Sequence, residues 1–280
     1  MNWARIKTAL IILLLGCNLV LLFVYFESER GRRDSKASEK VLLEEITQKL
    51  ERQGVSLENI EVPKKDELHV LKISDRKLDF DEEKKKFEQL GLRSSKEDLH
   101  DLYLYSYNAD SSFDILYYGS NEAIPESTYE EALQTAERFA GVGIEHGEFK
   151  YSNHQKLTDG SYEFYFEQSF NNIRILDGYM IVRVKGDKVL SLSQKALNLS
   201  EDKTRVQKLI PYSLALYRLY ASIEEKDEKT RIVEMNLVQE LIKNAGEENL
   251  VSGEPFVYYR FVSDNGEKYF IDAMQNEDLP

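Results

Sequence analysis

The chain has 280 residues, a net charge of −13 from 37 Lys and Arg against 50 Asp and Glu, and one cysteine. Such acidity disfavours nucleic acid as a partner, because that is a polyanion, and a single cysteine excludes an intramolecular disulfide. The length is ample for a buried core and suggests two small domains or one elongated one.

Residues 9–26, ALIILLLGCNLVLLFVYF, run from Ala9 to Phe26 without a charge, interrupted only by Gly16, Cys17 and Asn18. As a helix they span about 27 Å at about 1.5 Å per residue, close to the hydrocarbon thickness of a bilayer. A buried helix of a soluble protein keeps a polar stripe, and this run has none. It predicts an uncleaved transmembrane helix. A cleaved signal needs a shorter apolar core and then a small-residue site, whereas Glu27-Ser28-Glu29-Arg30 follows here. Leu14-Leu15-Gly16-Cys17 loosely resembles a lipoprotein box, but Leu15 is bulky and the segment after Cys17 is apolar. Arg5 and Lys7 before the run nearly balance Arg30, Arg32 and Arg33 after it, so flanking charge does not set the orientation. The short tail argues that the long part is exported. Removing Arg5 and Lys7 from the −13 leaves −15 on residues 27–280, which makes anionic lipid a poor partner for that part.

Within this helix Asn18 is the informative residue. An amide at the bilayer centre is costly unless it finds a partner, and transmembrane helices use such groups to hold one another. Ile11, Leu14, Leu15, Leu22 and Tyr25 share its face, while Gly16 lies about 200° away and permits close approach on nearly the opposite side. Asn18 and Gly16 are the candidate partner-helix contacts. The competing reading is that Asn18 bonds a local carbonyl and Gly16 is merely tolerated.

Met1-Asn2-Trp3-Ala4-Arg5-Ile6-Lys7-Thr8, leading into an aliphatic helix with Asn18 at its middle, resembles the start of the YycI (WalI) family. These are accessory regulators of the essential YycG (WalK) sensor histidine kinase of Gram-positive bacteria. The length, single anchor and Tyr-rich acidic remainder fit the same family, so the resemblance covers the whole chain, with no catalytic signature behind it. It implies a cell-membrane protein with a cytoplasmic N-terminus. It also implies regulation of cell-wall metabolism through membrane-embedded contacts with the kinase, together with a YycH-like partner.

After the anchor, residues 27–37 lack apolar periodicity and read as a juxtamembrane linker. Val41, Leu42, Ile46 and Leu50 fall at helical spacing, with Gly54 as a stop. Residues 67–73 alternate as a strand. Asp79-Phe80-Asp81-Glu82 is a capping pattern for a helix with Phe87 and Leu90 inside and Gly91 at its end. Tyr-rich strands are predicted over 102–107 and 113–118, joined by a turn at 108–112. These form an expected first α+β unit, 38–122.

Residues 123–280 read as two helix-plus-sheet repeats, about 123–200 and 208–275. In the first, Ser127-Thr128-Tyr129-Glu130 reads as a capping box, and Ala132, Leu133, Ala136, Phe139 and Ala140 line the face of the helix that Gly141 and Gly143 close. Tyr162, Phe164 and Phe166 then alternate with Glu163, Tyr165 and Glu167, the period of a half-buried strand. Asp177-Gly178 and Gly186-Asp187 read as turns around strands 179–185 and 188–194. In the second repeat Pro211 starts a helix that groups Leu214, Tyr217, Tyr220 and Ala221 on one side. Strands follow over 231–238, 256–262 and 268–273, with Asp264-Asn265-Gly266 as the strongest hairpin signal. The fold class is therefore α+β, and each repeat resembles PepSY-like folds in the order of its elements.

Chemistry is sparse. His69, His100, His146 and His154 include no metal-ligand spacing, and HExxH, GxSxG, P-loop and GxGxxG patterns are absent. No catalytic residue, metal or cofactor is assigned. Tyr103, Tyr105, Tyr107, Tyr117, Tyr118, Tyr258, Tyr259 and Tyr269 fall in predicted strands, where sheet packing explains them; a protein-docking face is the alternative. The sequence points to a non-enzymatic, membrane-anchored regulator of a sensor kinase. The runner-up is an extracytoplasmic binding or inhibitory module of PepSY type, merely tethered.

Overall fold

The periodic stretch with Ile46 and Leu50 forms a helix over 41–52 (α1), burying both and leaving Val41 and Leu42 exposed. It stops where Gly54 adopts a φ of 80°. In the computed structural model the described residues are 41–57, 60, 62, 66–76, 79–93, 101–108, 112–119, 124–142, 147–223, 230–240 and 256–275. The fold is mixed α+β and mostly sheet, with four helices and repeated strand units among these residues. No helix among them is long and apolar enough to cross a membrane; the apolar run 9–26 and the linker 27–37 lie outside them.

In chain order there follow β1 (Val55–Leu57), β2 (Glu67–Asp75), α2 (Phe80–Gln89), β3 (Asp101–Tyr107), β4 (Phe113–Gly119), α3 (Tyr129–Ala140) and β5 (Glu148–Lys156). Then come β6 (Tyr162–Phe170), β7 (Ile173–Lys185), β8 (Lys188–Lys195), β9 (Leu197–Lys208), α4 (Tyr212–Ser222), β10 (Thr230–Glu240), β11 (Phe256–Ser263) and β12 (Lys268–Asp272). By contacts the chain divides into Met1–Ser56 with Tyr212–Lys229, and Leu57–Pro211 with Thr230–Pro280. The first unit holds α1 and α4; the second holds α2, α3 and nearly all the sheet. β4 takes β8 as its second neighbour through Phe113–Leu116, joining the strands on either side of residue 122 into one sheet.

That sheet runs β12-β11-β10-β7-β8-β4-β3, and β6 and β5 continue it from the other edge of β7. The thirteen-residue β7 is the shared strand. β6 pairs along it, while the opposite edge takes β10 in parallel at Ile173–Ile175 and β8 antiparallel from Tyr179 to Lys185. β2 and β9 form a separate two-stranded ribbon.

Both α2 and α3 bury their apolar sides in one core with the β3-β4-β8-β7-β6-β5 part of the sheet. Asp79 caps α2 by accepting from the Asp81 and Glu82 amides at 3.0 and 3.2 Å. The box that starts α3 lies one residue later than expected. Thr128 Oγ1 accepts from the Glu131 amide at 3.3 Å, and the Glu131 carboxylate accepts from the Thr128 amide at 3.0 Å, the reciprocal pairing of a capping box. Ala132 and Ala136 keep α3 near the strands, so Phe139 is buried alongside Phe164, Phe166, Met180 and Val182. Burial of an aromatic of that size contributes about 1.5–3 kcal/mol.

The turns test the sequence reading more sharply. Gly186 (φ 58°) closes the β7–β8 hairpin and Gly266 (φ 86°) the β11–β12 hairpin, as expected. Asp177-Gly178, expected as a turn, is instead a bulge inside β7: the register passes from Glu167↔Tyr179 to Gln168↔Ile175. A Cβ on Gly178 would stand 2.4 Å from Gln168 Oε1. Glycine is needed there for close approach, because the Gln168 amide is held on both sides of Leu197, bonding its N–H and its C=O at 2.9 Å each. The turn between β6 and β7 is made by Asn171 and Asn172, at φ of 51° and 64°.

Candidate functional site

Asn18 and Gly16, the contact residues chosen from sequence, lie outside the described residues, as do His100 and His146. Among the described residues no group of His, Cys, Asp and Glu could hold a metal ion.

The densest polar constellation lies on β6. Its alternation sends Phe164 and Phe166 toward α3 and Glu167 to the opposite face. There Arg260 of β11, only 1% exposed, grips Glu167 with both terminal nitrogens, at 2.5 Å to Oε1 and 2.8 Å to Oε2. Arg260 Nε donates to Asn236 Oδ1 at 3.0 Å, and Asn236 donates to Glu234 at 2.5 Å. Ser152 of β5 donates to Glu167 Oε1 at 3.0 Å, with Lys268 of β12 3.7 Å from the same oxygen. Nearby, Arg174 donates to the Lys150 and Tyr151 carbonyls at 2.8 and 3.1 Å, beside the point where the β5–β6 register shifts.

Desolvation alone would raise the pKa of Glu167, but the Arg260 bonds and charge, with Lys268 and Arg174, outweigh it and hold it below the ordinary range. Both carboxylate oxygens are occupied by donors, so the group has no proton to exchange at neutral pH. The constellation ties β6 to β5, β11 and β12. Asp159 behaves alike: bonds from Ser161, then Arg183, bring its pKa down to about 2.

A second cluster sits on β5 and the start of α3. The rings of Tyr129 and His154 lie 4.5 Å apart between centroids, and the Tyr151 hydroxyl is 2.7 Å from His154 Nδ1. Burial, then the Tyr129 hydroxyl 3.4 Å away, push the Tyr151 phenol well above its usual range, so it stays protonated. The cluster offers hydrogen bonds and ring faces but no activated nucleophile. The open cleft lined by Lys85, Glu88, Gln89 and Arg93 adds no converging acid–base pair.

What stands out is apolar surface. Leu104 and Leu116 are directly paired across β3 and β4 and are 58% and 55% exposed, with Tyr118 beside them at 68%. The strand tyrosines thus divide: Tyr103 and Tyr259 are core residues, whereas Tyr107 and Tyr118 face solvent. In the other unit α4 buries Ser213, Ala215, Leu216 and Leu219. Of the side grouped from the sequence, Leu214, Tyr217 and Ala221 are exposed and Tyr220 is half-buried.

Sequence reading missed the Glu167 constellation because Glu163, Tyr165 and Glu167 read as a solvated face. The available signal was Arg260, a lone cation inside the strand FVYYRFVS.

No family model matches the chain, and no curated protein matches it significantly. Among solved structures the chain is similar to an uncharacterized protein from Eubacterium rectale ATCC 33656. That match has 9% identity, covers 79% of this chain and 87% of that one, and has a TM-score of 0.41; no argument about function rests on it.

Proposed function

We propose that the chain is a membrane-anchored, non-enzymatic regulator of a sensor histidine kinase of the YycG (WalK) kind, a YycI (WalI)-like protein working with a YycH-like partner. The observation that carries this reading is the uncharged run 9–26 with Asn18 at its centre, following directly on Met1–Thr8. A polar group in an otherwise apolar helix gives two helices in lipid a reason to prefer one another, since burying apolar surface against apolar lipid gives little. The α+β part is then an extracytoplasmic ectodomain of helix-plus-antiparallel-sheet units, with the N-terminus in the cytoplasm. Glu167 and Asp159, both held below the ordinary carboxylate range, are tied up in structural bonds, which fits a regulator better than an enzyme.

A second reading has its own observation. Helix α3 shares one core with β5, β6, β7 and β8, the layout of a helix laid across one face of a small sheet, and this favours a PepSY-like binding or inhibitory module for which the anchor is only a tether. Exchanging residues 9–26 for an unrelated apolar helix of equal length separates the two. Kinase output should lose its dependence on this protein while the remaining chain stays folded. Regulation that survives the exchange would favour the tethered module.

A further inference from the structure

Among the described residues the strand order ends at β3, which pairs only with β4. An edge strand presents N–H and C=O groups to any chain able to lie beside it. The Asn108 N–H donates to the Ser112 carbonyl at 2.9 Å, so even-numbered positions of β3 bond β4 and odd-numbered ones aim their backbone groups outward. Tyr103 uses that outer side, its N–H donating to the Arg93 carbonyl at 3.2 Å. Tyr105 and Tyr107 share the orientation, and no described residue bonds their outer backbone groups. The strand also lacks the devices that close an edge: its sequence DLYLYSY has no proline and no lysine, and its register has no shift.

The chain leaving α2 crosses this edge and walls a cleft beside it. Lys84 Nζ lies 5.6 Å over the Tyr105 ring, and the Tyr105 hydroxyl donates to the Leu92 carbonyl. Lys85, Glu88, Gln89 and Arg93 line an open cleft of about 410 Å³, the size of a small ligand site. Its charge opposes the −13 of the chain. Glu88 is matched by Lys84 at 3.8 Å. Lys85 and Arg93 are exposed, and neither has an acidic partner among the described residues.

We propose that the cleft and the edge together bind the C-terminus of a partner polypeptide. An extended segment adds to Tyr105 and Tyr107 as an antiparallel strand, and its terminal carboxylate is held by Arg93 and Lys85. Exposed backbone groups on an edge select strand addition as the mode of contact. Arg93 closes the edge at Tyr103, so an added strand stops there, which suits a chain end. Running from Tyr107 toward Tyr103, antiparallel to β3, such a strand brings its C-terminal end to Arg93. There a carboxylate meets two unmatched cations, one of them a guanidinium able to bond both oxygens, whereas an N-terminal amine would meet like charge. Strand alternation places Leu104 on the opposite face from Tyr105, so an apolar side chain of the added strand covers exposed Leu104.

The test uses the full chain in detergent and a library of random synthetic heptapeptides with free C-terminal carboxylates. The peptides it retains should bind at least about tenfold more tightly than the same sequences ending in an amide, because bonds to a charged acceptor are lost. Lys85→Ala with Arg93→Ala, two exposed positions, should weaken the acids by a similar factor and the amides little. Tyr107→Pro removes one outer N–H and no bond to β4, and should weaken both forms. Bound peptide should slow hydrogen exchange at the Tyr105 and Tyr107 amides of the unaltered chain. Equal binding of acid and amide would overturn the proposal, as would unchanged exchange at those two amides or a library that yields no carboxylate-dependent binder.

Discussion

The two faces of β6 achieve the same end by opposite means. Toward α3 the strand presents Tyr162, Phe164 and Phe166, which pack with Ala132, Ala136 and Phe139. On the other face Glu167 is nearly as deep but is held by Arg260, Ser152 and Lys268. Apolar packing is tolerant of partner identity, since any side chain of suitable volume fills the space. A buried carboxylate is not, because removing its cation leaves an uncompensated charge. The same strand is therefore robust on one side and brittle on the other.

Substitutions sharpen that contrast. Arg260→Ala should be the most damaging, at about 3–5 kcal/mol, because Glu167 is then buried without its cation. The paired change Glu167→Leu with Arg260→Met should recover most of the loss. Denaturant midpoints of the three proteins decide it; a single variant no worse than the pair would show that the charges are already well solvated. Phe164→Ala should cost a comparable 3–5 kcal/mol through its cavity, but here no second substitution on β11 restores stability.

The two faces also differ in pH response. The folded-state pKa of Glu167 lies below its ordinary value of 4.5, so its contribution is complete above the unfolded pKa and is lost as pH falls through the folded one. Stability should decline below about pH 4.5 more steeply in the native chain than in Glu167→Gln, and identical slopes would remove Glu167 from the account. Thr128→Ala touches the α3 side only through its cap and should cost about 1 kcal/mol. Leu214→Ala on the exposed stripe of α4 should alter stability by no more than about 0.5 kcal/mol.

The apolar face was legible in the sequence and the charged face was not. Period-2 runs, the Asp79 cap and the Asn265-Gly266 turn are local signals, and each became the element it announces. Arg260 and Glu167 are 93 residues apart, and nothing local marks them as partners. Pairing of β9 with β2 is hidden in the same way, since strand exposure along Glu201–Lys208 mimics a loop. Asp177-Gly178 misled because the Asp-Gly pair suits a bulge as well as a turn. Asn171-Asn172 could have been read as the turn, since Asn tolerates positive φ better than other side chains. The candidate contacts Asn18 and Gly16 remain a sequence reading, resting on the cost of an amide in lipid.

That reading is tested most directly by Asn18→Leu in the full chain, measured by co-purification with the kinase from membranes at matched protein levels. An interhelical amide bond in lipid contributes about 0.6–2 kcal/mol, on the order of threefold to thirtyfold in association. Association should fall within that range and kinase output should shift, with ectodomain unfolding unchanged. Full association and normal output in the Asn18→Leu protein would contradict regulation through the membrane helix and move the contact to the ectodomain.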